Sequence, residues 1–168
     1  MHCYRITKYD PKYRNSKGHY TKNEWISVGD IGRIYDSKEF TLSDYLSVEE
    51  KYFEAVKNMM DEMKVETLKI KELEKSHYVS SNEEDSDELK KMYDLLEEEM
   101  TIKNCDVALV IKLILREIVW AKLVSKSFEV HFGYDYYMYV CSSKVLRKSI
   151  VQITKNGLFI EEMRSPYL

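Results

Sequence analysis

The sequence predicts an α+β domain, in which a mixed or antiparallel sheet formed by N- and C-terminal strands carries a group of helices. Three observations support this. Segments mixing β-branched and aromatic residues, "CYRITKY" near the start and "FEVHFG", "YYMYVC" and "LFIEEM" near the end, have strand character. Between them, apolar residues recur at threes and fours, the helical period. Regular strand–helix–strand alternation is missing, which argues against a doubly wound parallel fold. With 168 residues, 44% of them hydrophobic, and only five Gly and two Pro, residues 1–168 are expected to form a single α+β domain.

Each element has its own warrant. "CYRITKY" (3–9) alternates roughly as a half-buried strand does, and "DPKYRNSKGHYTKN" reads as a long turn through Pro11, Asn15, Ser16 and Gly18. "SVGD" (27–30) carries the signature of a capped helical turn. At "TLSD", Thr41 can accept from the amide three residues on, and Asp44 places negative charge at a helix N-terminus. Leu42, Tyr45, Leu46, Phe53, Val56, Met59, Met60 and Met63 then mark a long amphipathic helix. Its other face, with Glu49, Glu50, Lys51, Lys57 and Asp61, is expected in solvent.

"ETLKIKELE" (66–74) changes to a strand period, although its residues form helices equally well. "KSHYVSSNEEDSDE" has no period and reads as a loop. Leu89, Met92, Tyr93, Leu96 and Met100 give a second helix. Val107 to Val119, apolar nearly all round, predicts a central buried helix whose end runs through "AKLVSKS" into a turn. "FEVHFG" and "YYMYVC" around Gly133, Tyr134 and Asp135 form a hairpin. Ser142 or Ser143 is expected to cap a last helix that stops at Gly157, before a closing strand.

Composition narrows the function. A net charge of -3, from 26 basic and 29 acidic residues, supplies no global field for a phosphate backbone, so nucleic acid is not an expected partner. Lys8, Lys12, Arg14, Lys17 and Lys22, interleaved with Tyr9, Tyr13 and Tyr20, form a local strip of the kind single-strand binders use, and equally a solvated loop. Cys3, Cys105 and Cys141, odd in number and widely spaced, suit reduced thiols and a cytoplasmic location, and "MHCYRITKYD" lacks a signal-peptide core. Lys112, Arg116 and Glu117 interrupt the longest apolar run, which speaks against a membrane span. His2, His19, His77 and His131 show no metal spacing, and phosphate-loop, nucleophile-elbow and EF-hand motifs are absent, so neither metal nor cofactor is expected.

Two features suit binding. "NEEDSDE" and "LLEEEM" gather Glu83, Glu84, Asp85, Asp87, Glu97 and Glu98 into a negative patch able to steer a basic partner. "GYDYYMY" reads first as a core hairpin, and its turn also offers Tyr134, Asp135 and Tyr136 as anchors, since tyrosine combines contact area with a hydrogen-bonding tip. His131 beside Asp135 is the best local pair for acid–base chemistry, though strand alternation leaves open whether they meet.

"YRITKYDPKYR", "DIG", "WAKL", "HFGYDYYMY", "GLF" and "SPY" together resemble a family of small uncharacterised cytoplasmic proteins of Gram-positive bacteria. That resemblance carries no catalytic residue. Small acidic α+β chains of this kind are similar in character to immunity proteins, a likeness of class. The expected function is therefore non-enzymatic: an immunity protein binding a protein partner, a basic toxin. The alternatives are a phage-derived or regulatory inhibitor of a defence protein, and a small hydrolase or nuclease using His131.

Overall fold

The computed structural model describes residues 1–78 and 87–168. Its strands are β1 (His2–Thr7), β2 (Ile34–Tyr35), β3 (Lys38–Glu39), β4 (Thr67–Lys75), β5 (Thr101–Lys103), β6 (Val119–Val124), β7 (Phe128–Phe132), β8 (Met138–Ser142) and β9 (Phe159–Glu162). Its helices are α1 (Leu42–Met63), α2 (Asp87–Leu95), α3 (Val107–Leu115) and α4 (Arg147–Lys155). Seven strands make one sheet in the order β5-β4-β6-β7-β8-β1-β9, antiparallel at each pairing, while β2 and β3 form a separate two-stranded ribbon. The expected α+β class holds. The sheet also takes strands from the middle of the chain.

Local chemistry sets the helix ends. Thr41 and Asp44 form a reciprocal capping box at α1, and Ser27 and Asp30 form another at the short turn Val28–Asp30. Three helices stop in the same way, with a left-handed residue whose neighbours bond back to the last turn. Gly157 does this after α4 (φ 87°), Lys64 after α1 (φ 56°) and Glu117 after α3 (φ 60°). At Glu117 the closing bonds are Glu117 N–H to Ile114 O at 3.0 Å and Ile118 N–H to Leu113 O at 3.0 Å. The predicted long central helix therefore ends at Leu115, and "VWAKLV" becomes strand β6. α2 likewise ends at Leu95, and Thr101–Lys103 pairs as β5. Neither Ser142 nor Ser143 caps α4; Ser142 Oγ instead donates to Lys144 O.

The helices cover one sheet face, where alternate strand residues such as Ile6, Ile70, Leu123, Val130 and Val140 meet Tyr52, Val56, Met59, Val110 and Leu113. Burial of this apolar surface is the main term holding the domain together. Within the layer Glu49, expected in solvent, is buried and accepts two bonds from Arg116, at 2.7 Å from Nε and 2.9 Å from an Nη. Tyr45 donates a third bond to Glu49, at 3.0 Å. Apolar periodicity put Glu49 on the outer side of α1, but α3 packs there with its own counter-ion.

Residues of the other parity point to the opposite face: Trp120 and Lys122, Glu129 and His131, Tyr139 and Cys141, Cys3 and Arg5, and Glu161. Among the described residues, Tyr9, Arg14, Ser165 and Tyr167, all outside the helices, pack against this side. Cys3 and Cys141 face each other across β1 and β8 and form a disulfide, which corrects the expectation of reduced thiols; Cys105 is free and exposed. Strand pairing brings together two cysteines that sequence distance kept apart. Among the described residues no helix is long and apolar enough to cross a membrane.

Candidate functional site

The turn between β7 and β8 is a small rigid platform. Gly133 N–H donates to Tyr137 O at 2.7 Å, and Tyr137 N–H to Tyr134 O at 3.1 Å. Asp135 and Tyr136 both lie in the left-handed region, at φ 56° and 63°. That conformation costs a side-chain-bearing residue about 1 kcal/mol, and burial of the Tyr136 ring offsets it. The ring packs on Trp25, Tyr52 and Tyr45, with centroids 5.0, 5.6 and 6.3 Å away, and its hydroxyl donates to Leu115 O at 3.0 Å. Burial pushes that hydroxyl's pKa well above the ordinary tyrosine value. Tyr52 reaches the same point from α1, donating to Tyr136 O at 2.7 Å.

With Tyr136 held inside, Tyr134 is thrown outward: it is 88% exposed, against 6% for Tyr136. Beside it opens a cleft of about 580 Å³. Ile114, Leu115, Val119 and Phe132 give it an apolar floor, and Trp120, Tyr134 and Tyr167 provide aromatic walls. Trp120 is held by its indole N–H, which donates to Phe132 O at 2.9 Å. Gly133 lets Tyr167 come close, since a Cβ at that position would stand 2.8 Å from the Tyr167 hydroxyl. Among the described residues three carboxylates, Glu74, Glu117 and Asp135, line the cleft and no basic residue does. Among the described residues none of the three has a salt-bridge partner within 4.0 Å.

The structure places the residues expected from sequence in different settings. Tyr134 and Asp135 are exposed on the turn, whereas Tyr136 belongs to the core and is corrected from anchor to support. Glu83, Glu84 and Asp85 lie outside the described residues. Asp87 is exposed in the first turn of α2, and Glu97 is exposed beyond its end. Glu98 plays a structural part. Its carboxylate accepts from the amides of Glu72 and Leu73, at 3.0 and 2.7 Å, where Glu72 adopts φ 53° and the β4 register slips. Glu99 pairs with Lys69 and Lys71. The acidic run is thus partly neutralised by its own sheet.

His131 is buried and does not partner Asp135. Its Nδ1 lies 2.7 Å from Ser165 Oγ and its Nε2 3.3 Å from Glu129 Oε2. A neutral ring satisfies both contacts, with Ser165 donating to Nδ1 and Nε2–H donating to Glu129. Burial lowers the histidine pKa, against the opposing pull of Glu129. The arrangement fastens the segment holding Ser165 and Tyr167 to the sheet.

Four of the five basic residues of the strip are likewise committed. Lys8 Nζ sits 4.1 Å from the Tyr9 ring centroid, 4.2 Å from that of Trp25 and 3.3 Å from Glu24, and burial lowers its pKa to about 8. Arg14 donates to the Tyr137 hydroxyl at 2.9 Å and lies 3.6 Å from Glu161. Lys12 pairs with Asp10, and Lys22 lies over Tyr13.

Sequence reasoning missed Glu74, Glu117, Trp120 and Tyr167. The one local signal was Glu117, a charge breaking an otherwise apolar run. No protein-family model, curated protein or solved structure matches the chain. What fold and site define is therefore a class: an antiparallel α+β domain with an acidic, aromatic cleft at one hairpin turn.

Proposed function

We propose that this chain is a non-enzymatic protein-binding protein and, in the most specific form of the reading, an immunity protein that occludes a basic toxin. The observation that carries it is Tyr134, a large side chain 88% exposed on a turn whose neighbours are locked in place. An anchor held by a rigid support loses little entropy on binding, and tyrosine in that setting is a common interaction hot spot. The unpaired carboxylates beside it favour a partner of positive charge. His131, with both ring nitrogens engaged by Ser165 and Glu129, is a fastening rather than a free base.

The test is affinity capture of the tagged chain from its native cell, with mass spectrometry of what survives a moderate salt wash. One stoichiometric basic protein, lost on Tyr134→Ala and harmless to cells only when the parent chain is co-expressed, is the expected result. Charge reversal of Glu83, Glu84 and Asp85 should slow association and flatten its salt dependence. A Tyr134→Ala variant that captures and protects like the parent would remove the turn from the interface.

A further inference from the structure

We propose that the cleft beside the β7–β8 turn is a socket for an arginine side chain of the partner. This rests on the protein-binding reading and names the chemistry of its contact. An arginine needs a flat aromatic surface for its guanidinium plane, carboxylates for its N–H donors, and an apolar lining for its methylene stem. The cleft provides all three. Trp120 and Tyr134 stand at its walls, Glu117 and Asp135 line it without a basic partner among the described residues, and Leu115 lies in its floor.

Other cations fit less well. Among the described residues no three carboxylate, histidine or cysteine side chains converge closely enough to hold a metal ion. Aromatic side chains lining the cleft beside its carboxylates suit a broad, weakly hydrated cation. Lysine, a compact and strongly hydrated charge, gives up more water on entering and cannot lie flat against the ring. The walls are also preformed: the Trp120 indole N–H is tied to Phe132 O, and the Gly133 backbone leaves room for Tyr167. Little ordering is needed when the side chain arrives.

The experiment uses the full chain and three blocked tripeptides, Gly-Arg-Gly, Gly-Lys-Gly and Gly-citrulline-Gly, followed by ¹H–¹⁵N NMR. The arginine peptide is expected to shift the Trp120 indole and the amides of Gly133, Tyr134 and Asp135, with a dissociation constant of about 1–10 mM. The lysine peptide should bind several-fold more weakly. The citrulline peptide, of the same shape without the charge, should leave these signals in place. Glu117→Gln with Asp135→Asn should weaken the arginine peptide about tenfold while the remaining amide spectrum stays that of the folded parent. Equal shifts with citrulline, or none with arginine, would overturn the socket. Partner capture reads the two ideas separately. Capture with no response to the arginine peptide leaves the binding reading standing without the socket; a response with no partner leaves the socket and removes the protein-binding reading.

Discussion

The two faces of the sheet are built on opposite plans. Under the helices the described side chains are mostly apolar, and Glu49 and Arg116 form a bidentate pair to which Tyr45 adds a hydrogen bond. On the other face charge and aromaticity mix freely: Arg5 meets Glu161, His131 meets Glu129, and Trp120 stands near Tyr167. The helical face is intolerant because each group there depends on a neighbour for its solvation. The other face is held at separate points, and this leaves surface available for recognition.

The largest expected effect breaks the buried pair. Arg116→Ala alone strands the Glu49 carboxylate in the core and should cost about 3–5 kcal/mol, whereas a paired replacement of Glu49 and Arg116 by two methionines should cost far less; urea unfolding would measure both. Tyr136→Ala should be nearly as damaging, about 3–5 kcal/mol, while Tyr134→Ala two residues away should stay within about 0.5 kcal/mol. Equal losses at those two positions would sink the view of the turn as an anchored display.

On the opposite face, reducing Cys3–Cys141, which are 138 residues apart, should lower stability by about 2–5 kcal/mol with the ladder between β1 and β8 intact, read as a lower urea midpoint and an unchanged far-ultraviolet spectrum. The smallest effect is expected from His131. Its folded pKa is lowered below the ordinary 6.5, so below that value the unfolded chain binds the proton more readily. Stability is complete above pH 6.5 and falls as pH drops through the folded pKa, and His131→Gln should remove this slope.

Much of the frame could be read in advance because its signals are local. Thr41 with Asp44, Ser27 with Asp30, and Gly157 each announce an end within a few residues, and the hairpin follows from strand runs around Gly133. Most of the misses share one cause: their reasons lie elsewhere in the chain. The exception is α3, whose closing left-handed residue is Glu117 rather than glycine, so the usual signal of a helix end was missing and β6 was absorbed into it. Glu49 looked exposed because its partner is 67 residues away, and the cysteines looked unpaired because theirs are 138 apart. The cleft draws its acids from β4, the end of α3 and the β7–β8 turn, so no single window contained it. Tyr134 and Asp135 were visible as a turn; their acidic neighbours were not.

Strand order also bears on how the protein comes to exist. β1 lies between β8 and β9, so this strand has no neighbour in the sheet until more than a hundred further residues have been made. During synthesis, at about 5–20 residues per second, its backbone donors and acceptors stay unpaired for several seconds or longer. The strands β4, β6 and β7, with α1 and α3, can gather before it. For the nascent chain, the sheet cannot be completed until β8 and β9 have emerged to take β1 between them.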